Sequence, residues 1–449
     1  MKILLVSANT NTEPYAVYPL GIEYVAAAVA DHHRVKVVDM NILGSTAALA
    51  DEIRSFDPAL VGIGLRNVDN TDVTTPKGFV DDYRELVATV RENSRAVVVL
   101  GGSGFTIFAR QMMRFLDADY GVAGEGERLA QLAKAIESGR DPAGMPGVMT
   151  RRDAGAIAPP LERVPRRRFT PDDSVLAFYL RRGGMLNLQT KRGCRFRCVY
   201  CTYPHIEGRR MRYAPPAEAA RTALALQDAG ARFLFITDAV FNADFEHSAA
   251  VAQAFKDAGL KIPWGAFLSP TDPPAGYYER LAEAGMTHAE FGTEALCDPV
   301  LGAYRKPFRT ADVFRAHRAA REAGLHVAHY LLLAGPGETP ETLSRTLDNA
   351  EKLPRCVLFF FCGMRIYPHT DLYTTALREG QISENQSLLT PVYYRNAHLT
   401  EAAVTETVRR RSRGRLNWVL GAGGPQTAAL MSRMYRRGYV GPLWEYLVR

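Results

Sequence analysis

Cysteine is missing from the first 193 residues of this 449-residue chain; all six fall at 194, 198, 201, 297, 356 and 362. So sparse a set excludes a disulfide scaffold. No run approaches the ~20 apolar residues that cross a bilayer. Residues 1–7 read as a first strand, with no small-residue cleavage site behind them, so the expectation is a cytoplasmic protein with no membrane span. Neither sign of charge dominates: 55 Lys plus Arg against 48 Asp plus Glu leave +7, spread along the chain. That permits an acidic partner without demanding one. A composition 47% hydrophobic and 23% charged is that of a globular protein and excludes disorder, collagen and coiled coil. A GxGxxG after the first strand is also lacking, which weakens a dinucleotide-binding reading.

What is present is a repeated alternation. In residues 1–138, apolar strand-like runs at 2–7, 34–39, 60–65, 96–101 and 119–123 are separated by helical patterns such as 21–30 and 126–136. Continuous Val/Ile/Leu strands between helices predict a doubly wound parallel sheet, with its ligand crevice at the strand C-terminal ends. Residues 139–175, rich in Gly, Pro and Arg, read as a linker with room for a small hairpin. From 176 to 375 a second alternation has strands at 185–190, 233–238, 263–268, 287–292, 327–333 and 357–362. Six βα units predict a partial TIM-like barrel, again with its site at the strand C-terminal ends. Residues 376–449 read as a mixed, mainly helical capping segment. The fold class is therefore α/β throughout.

The chemistry concentrates at Cys194, Cys198 and Cys201, spaced CxxxCxxC behind the first barrel strand. Three thiolates hold three irons of a 4Fe–4S cube and leave one iron open. The alternative is a structural zinc, for which His205 is the local fourth ligand. With Tyr200 just before the last cysteine, the loop resembles that of the radical S-adenosylmethionine (SAM) superfamily over about residues 176–375. The resemblance implies that the open iron chelates SAM. Reductive cleavage then gives a 5′-deoxyadenosyl radical that abstracts hydrogen from substrate, with the electron delivered by an external flavodoxin- or ferredoxin-type donor. By position, Asp238 after the second strand corresponds to the carboxylate that holds the SAM amino group, although Gly-Gly-Glu is absent. Glu294 after the fourth strand is placed for the ribose hydroxyls. Gly335 and Gly337 after the fifth are placed for the adenine, and Tyr200 lies near it.

A doubly wound domain ahead of such a barrel resembles the cobalamin-binding class of that superfamily. The residues that carry this are Leu20 and Gly21 opening the first helix, Arg66 and Asn67 after the third strand, Gly101, Gly102, Ser103 and Gly104 after the fourth, and Gly124, Glu125, Gly126 and Glu127 after the fifth. Glycines there let backbone approach a bulky cofactor. The DxHxxG motif whose His ligates cobalt is absent; Asp31-His32-His33 reads as a solvated helix end. The resemblance thus implies base-off cobalamin without a His ligand, with Arg66 under the cobalt or, equally, a surface residue.

After the sixth strand, Tyr367 and His369 (where the family often has Pro-Gly-Thr) are candidate substrate contacts. Tyr394 is another, in a 389–394 stretch resembling one that closes over the mouth in related proteins. The basic clusters at 409–415 and 433–437 read as solvated helix faces, and nucleic acid is not expected. The leading reading is methyl transfer from methylcobalamin to an unactivated carbon or phosphorus centre of a small-molecule or lipid-like intermediate. A cobalamin-dependent rearrangement, ring formation or oxidation is the alternative within the class, and a cobalamin-binding sensor with a structural cluster is the alternative outside it. A radical methylthiotransferase needs an N-terminal Cys set, which residues 1–193 lack.

Overall fold

The computed structural model describes residues 1–448 apart from 13–14, 153–154, 156 and 170–173. The first sheet contains β1 (Lys2–Ser7), β2 (Arg34–Asp39), β3 (Leu60–Gly64), β4 (Val97–Gly101), β5 (Tyr120–Val122) and β6 (Val148–Thr150). They lie in the order β2-β1-β3-β4-β5-β6. The first five are parallel, and β6 runs antiparallel along β5. Alternation along each strand assigns the two faces. Ile3, Leu5, Leu60 and Val99 pack with Leu129 and Leu132 on one side. Leu4, Val6, Val61, Ile63, Val98 and Leu100 pack on the other with Leu49, Ile53, Leu86 and Val90. Burial on both faces is what a parallel sheet requires. The 139–175 stretch is thus more than a tether, since three of its residues extend the sheet.

The second unit contains β7 (Met185–Leu188), β8 (Lys191–Arg192), β9 (Arg212–Tyr213), β10 (Phe233–Ile236), β11 (Trp264–Leu268), β12 (Met286–Glu294), β13 (His326–Leu333), β14 (Cys356–Cys362) and β15 (Trp418–Leu420). The barrel sheet has seven strands in the order β15-β14-β13-β12-β11-β10-β7, all neighbours parallel. The seventh, β15, comes from the 376–449 segment, beyond the six read from periodicity; its three residues are too few to show a period. The same segment closes the floor. Trp444 packs with Ala328, Val357 and Val419, and Val440 packs with Met185, Phe233 and Phe235. No helix among the described residues is long and apolar enough to cross a membrane.

Candidate cofactor and active site

The cysteine loop is stitched down from several sides. β8 and β9 form a short antiparallel pair around it. The Gly193 N–H donates to Glu207 Oε2 (2.9 Å) and the Cys194 N–H to the Gly208 carbonyl (3.1 Å). Gly193 has φ +93°, and a Cβ there would stand 2.2 Å from the Arg210 carbonyl oxygen, so only glycine fits. Val199 N–H donates to Tyr304 O, and Leu372 N–H to Val199 O. Cys194 is buried and Cys198 and Cys201 half-buried. Burial, reinforced by Cys198, pushes the Cys201 thiol up to about 12, and burial raises Cys194 too. A bound cation would draw such thiols to the thiolate form.

The donor set fits an iron–sulfur cube better than a single ion. A zinc tetrahedron holds sulfurs roughly 3.8 Å apart at its usual Zn–S length. Among the described residues, the only three His, Cys or carboxylate ligand atoms all within 4.8 Å of one another are those of His317, His329 and Cys356, not the three loop thiols. His205, the candidate fourth zinc ligand, faces elsewhere. Its ring stacks on His369 at 3.9 Å between centroids, and its Nε2 lies 3.3 Å from the Thr106 carbonyl.

Glu294 and Tyr200 meet beside the loop. The Tyr200 hydroxyl donates to Glu294 Oε1 (2.7 Å), and Lys306 Nζ lies 3.3 Å from the same oxygen. Burial works against the Lys306 ammonium, but Glu294 and the neighbouring cysteines outweigh it and raise its pKa. Glu294 has φ +63°. A hydrogen-bonded chain behind the barrel holds the preceding residue: Thr293 Oγ1 to His329 Nδ1 (2.7 Å), His329 Nε2 to His317 Nδ1 (3.0 Å), His317 Nε2 to Pro354 O (3.1 Å). Burial lowers both imidazoles, His317 to about 4, so the chain is neutral.

Asp238 is placed differently from the sequence expectation. It is fully buried, and its oxygens accept from Thr190 N–H (2.7 Å), Thr190 Oγ1 (2.6 Å), Lys191 N–H (3.2 Å) and Lys191 Nζ (3.0 Å). It anchors the strand end that leads into the cysteine loop and has no face open to a ligand. Gly335 is also spoken for: its N–H donates to the Tyr304 hydroxyl, its carbonyl accepts from Asn396, and a Cβ would stand 2.4 Å from the Tyr304 oxygen. Gly337 turns the chain at φ +76°.

The C-terminal edge of the first sheet forms one wall of a cleft enclosing about 1470 Å³, open mouth included. Leu20, Gly21, Arg66, Gly101, Gly102, Ser103, Gly124, Glu125, Gly126 and Glu127 all line it. Asn67 and Gly104 do not. Asn67 donates to Asn9 Oδ1 (3.3 Å), and Gly104 packs against the Leu65 and Arg66 backbone. Gly102, at φ +98°, would place a Cβ 2.6 Å from Leu65 O, and the Ser103 hydroxyl donates to Arg66 O (2.9 Å). This glycine turn therefore fixes the Arg66 backbone. The Arg66 side chain is open to the cleft yet lies well inside the protein, and burial lowers its pKa against a smaller opposing effect of Tyr203, Tyr15, Tyr179 and Tyr83. Among the described residues no carboxylate lies within 4.0 Å of it. Asp31–His33, by contrast, precedes Arg34, which pairs with Lys2 at the start of the sheet, the edge opposite the cleft. The cleft's space and glycine-lined edge suit a corrin-sized group.

Glu125 and Glu127 serve a second purpose that sequence could not show. Glu125 Oε1 is shared by Arg192 (2.8 Å) and Arg212 (2.7 Å), and Glu127 takes the other arm of Arg192 (2.7 Å). Burial raises the Glu125 carboxyl, but the arginines and the Leu161 N–H more than reverse this, leaving it below its usual range. The fifth-strand loop of one domain is thus tied to the residue two before Cys194. The barrel completes the cleft with Asn187, Gln189, Arg192, Tyr203 and Thr237.

The three candidate substrate contacts lie away from this cleft. Tyr367 has its hydroxyl 3.5 Å from Asp69 Oδ1, and Tyr394 donates to Glu379 Oε2 (2.9 Å). His369, at φ +67°, is the residue stacked on His205; burial and the neighbouring His205 lower it to about 4.

Comparison with known proteins agrees with this division. The Radical SAM superfamily matches residues 188–350 and the B12 binding domain residues 6–133. The chain is 24% identical to tryptophan 2-C-methyltransferase of Streptomyces laurentii, over 82% of this chain and 73% of that one. It is 23% identical to cytidylyl-2-hydroxyethylphosphonate methyltransferase of Streptomyces wedmorensis, over 87% and 84%. The solved structure of the radical SAM methyltransferase TsrM from Kitasatospora setae, with cobalamin and a [4Fe–4S] cluster bound, superposes with a TM-score of 0.90 at 22% identity, covering 99% of this chain and 97% of that one. Residues 188–350 are thus a radical SAM domain and residues 6–133 a B12-binding domain, the barrel following the B12-binding unit along the chain.

Proposed function

We propose that this protein is a cobalamin-dependent radical SAM methyltransferase that methylates a small-molecule acceptor at a carbon or phosphorus centre. The observation that carries the reading is that one cleft has the glycine edge of the B12-binding domain as one wall and barrel residues Asn187, Gln189 and Thr237 as the other, with the cysteine loop starting at its rim. When bound, the 4Fe–4S cluster, SAM and cobalamin supply a methyl group and a 5′-deoxyadenosyl radical. The chain's own residues orient and shield. Cys194, Cys198 and Cys201 hold the cluster. Tyr200 and Glu294 would face the SAM nucleoside, with Gly337 turning the chain beside it, while Asp238 keeps the strand end beneath the loop rigid. Arg66, with no carboxylate within 4.0 Å among the described residues, stands in the cleft where its charge would disfavour a protein ligand to cobalt; the sequence's lack of a DxHxxG histidine supports base-off cobalamin without a His ligand. An external flavodoxin- or ferredoxin-type donor in the cytoplasm fits the half-buried cysteine loop.

The test uses protein reconstituted anaerobically with iron, sulfide, cobalamin, SAM and a strong reductant. 5′-Deoxyadenosine and S-adenosylhomocysteine are followed separately by mass spectrometry. S-adenosylhomocysteine formed only with cobalamin is the expected result. Deoxyadenosine without it would replace methyl transfer by the rearrangement reading. Neither product, with both cofactors bound, would favour a sensor.

A further inference from the structure

Burial along the barrel strands is inverted in one sector. On β11, Trp264, Ala266 and Leu268 face the outer helices and are buried, while Phe267, pointing inward, is 38% exposed. On β13, Leu331 and Leu333 are buried outward, while inward Tyr330 and Leu332 are half-buried. On β14, Leu358 and Phe360 are buried outward, and Phe359 and Phe361 remain half-buried inside. A packed barrel interior would hide these rings more completely than the outer face. Here large apolar side chains face open space inside the molecule, the usual mark of a ligand site.

The rings are ordered. Tyr330 stacks on Phe359 (centroids 4.9 Å, planes 13° apart) and lies nearly parallel to Phe361 (6.4 Å, 22°). Phe267 stands across them at 72° to Tyr330 and is itself braced edge-on by Phe235 at 4.9 Å. The Tyr330 hydroxyl is fixed by Glu290 Oε2 (2.7 Å), whose other oxygen accepts from Trp444 Nε1 (2.9 Å). Both oxygens of that carboxylate are thereby occupied at the floor. Among the described residues the ring wall itself carries no Lys or Arg, Lys306 at the rim is paired with Glu294, and Arg66 belongs to the cleft on the B12-binding side. Polar inward residues lie on the opposite side, where Asn187, Gln189 and Thr237 border the cleft.

We infer that the acceptor is an uncharged, planar aromatic or heteroaromatic molecule, whose ring lies against Phe267, Tyr330, Phe359 and Phe361 and whose polar edge faces Asn187, Gln189 and Thr237. This rests on the methyl-transfer reading only in calling the occupant an acceptor; the slot itself is argued from the rings. Offset and edge-on contacts to a flat ring are what such an arrangement rewards, and a phosphate set against these rings would meet no Lys or Arg among the described residues of the wall.

The test is equilibrium dialysis with the anaerobic, cluster- and cobalamin-loaded protein, using indole, 2-naphthol, cyclohexanol and cytidine monophosphate as probes. The two aromatics are expected to bind about fivefold to tenfold more tightly than cyclohexanol or the nucleotide. Phe267→Ala, at a partly exposed position, and Phe361→Leu, which stays apolar but removes the ring, should each erode that preference while leaving cluster absorbance and circular dichroism intact. Equal binding of 2-naphthol and cyclohexanol, preference for the nucleotide, no binding of any probe, or an unchanged preference in well-folded Phe267→Ala and Phe361→Leu would overturn the inference. Because no turnover is read, aromatic binding without S-adenosylhomocysteine formation would overturn the methyl-transfer reading alone. Methyl transfer without aromatic preference would overturn only this inference.

Discussion

Two buried ion-pair seams join the domains, and they are built for different tasks. On the cleft side, Glu125 and Glu127 grip Arg192 and Arg212, four charged groups from two domains around the strands that flank the cysteine loop. A neighbouring tie runs from Glu23 to Arg167, which also donates to the Asn187 carbonyl (2.6 Å). On the far side a single pair, Asp69 with Arg365 (3.0 Å), is backed by carbonyls of Ile366 and Leu388 (both 2.6 Å). The first seam couples the B12-binding domain to the cysteine loop; the second ties Asp69 of that domain, through Arg365, to the Leu388 and Val392 carbonyls. A buried pair is weak evidence for net stability but strong evidence of a fixed relative position.

Removing a charge from each seam should separate these roles. Glu125→Ala leaves Arg212 buried without a carboxylate and is expected to destabilise by about 3–5 kcal/mol in urea unfolding. It should also lower iron and cobalamin retention together; retention of both at wild-type levels would dissolve the comparison. Glu338 belongs to neither seam. Burial raises it to about 7, above its usual 4.5. A raised carboxyl stabilises the fold fully below pH 4.5 and loses that contribution as pH climbs through 7. The slope amounts to about 3 kcal/mol and should vanish in Glu338→Gln when unfolding is followed across that window. Asp69→Asn, which spares the carbonyl partners of Arg365, is expected to cost about 2 kcal/mol and to speed proteolysis near residues 388–394 while cluster absorbance stays unchanged. His369→Gly should move stability by no more than about 1 kcal/mol, because relief of a left-handed φ offsets the lost ring stack; calorimetry would read it.

Much of the scaffold was legible from the chain. Hydrophobic runs located the strands to within a few residues, because continuously apolar segments between helices leave little choice of architecture. The cysteine spacing and the glycine loops at the strand ends pointed to the two cofactor edges. What escaped was long-range. β15 and β6 are three residues each and pair with strands distant in sequence or direction. Glu125 and Asp238 read as ligand contacts from their loop positions, yet Arg192, Arg212, Thr190 and Lys191 occupy them; nothing in local periodicity reports such partners. The open aromatic sector was hidden as well, since the sequence CVLFFFC of β14 reads as uniformly buried, and only the sheet's curvature distinguishes Phe359 and Phe361 from Phe360.

The barrel floor and its seventh strand come from residues late in the chain, Trp444 and Trp418–Leu420. The B12-binding domain draws nearly all of its sheet from residues 2–122 and is free to fold while synthesis continues. The barrel is not. Until Trp418–Leu420 and Trp444 have emerged, β14 has an uncovered edge and Glu290 keeps the Tyr330 hydroxyl but lacks the indole donor, so the barrel is completed well after the B12-binding sheet.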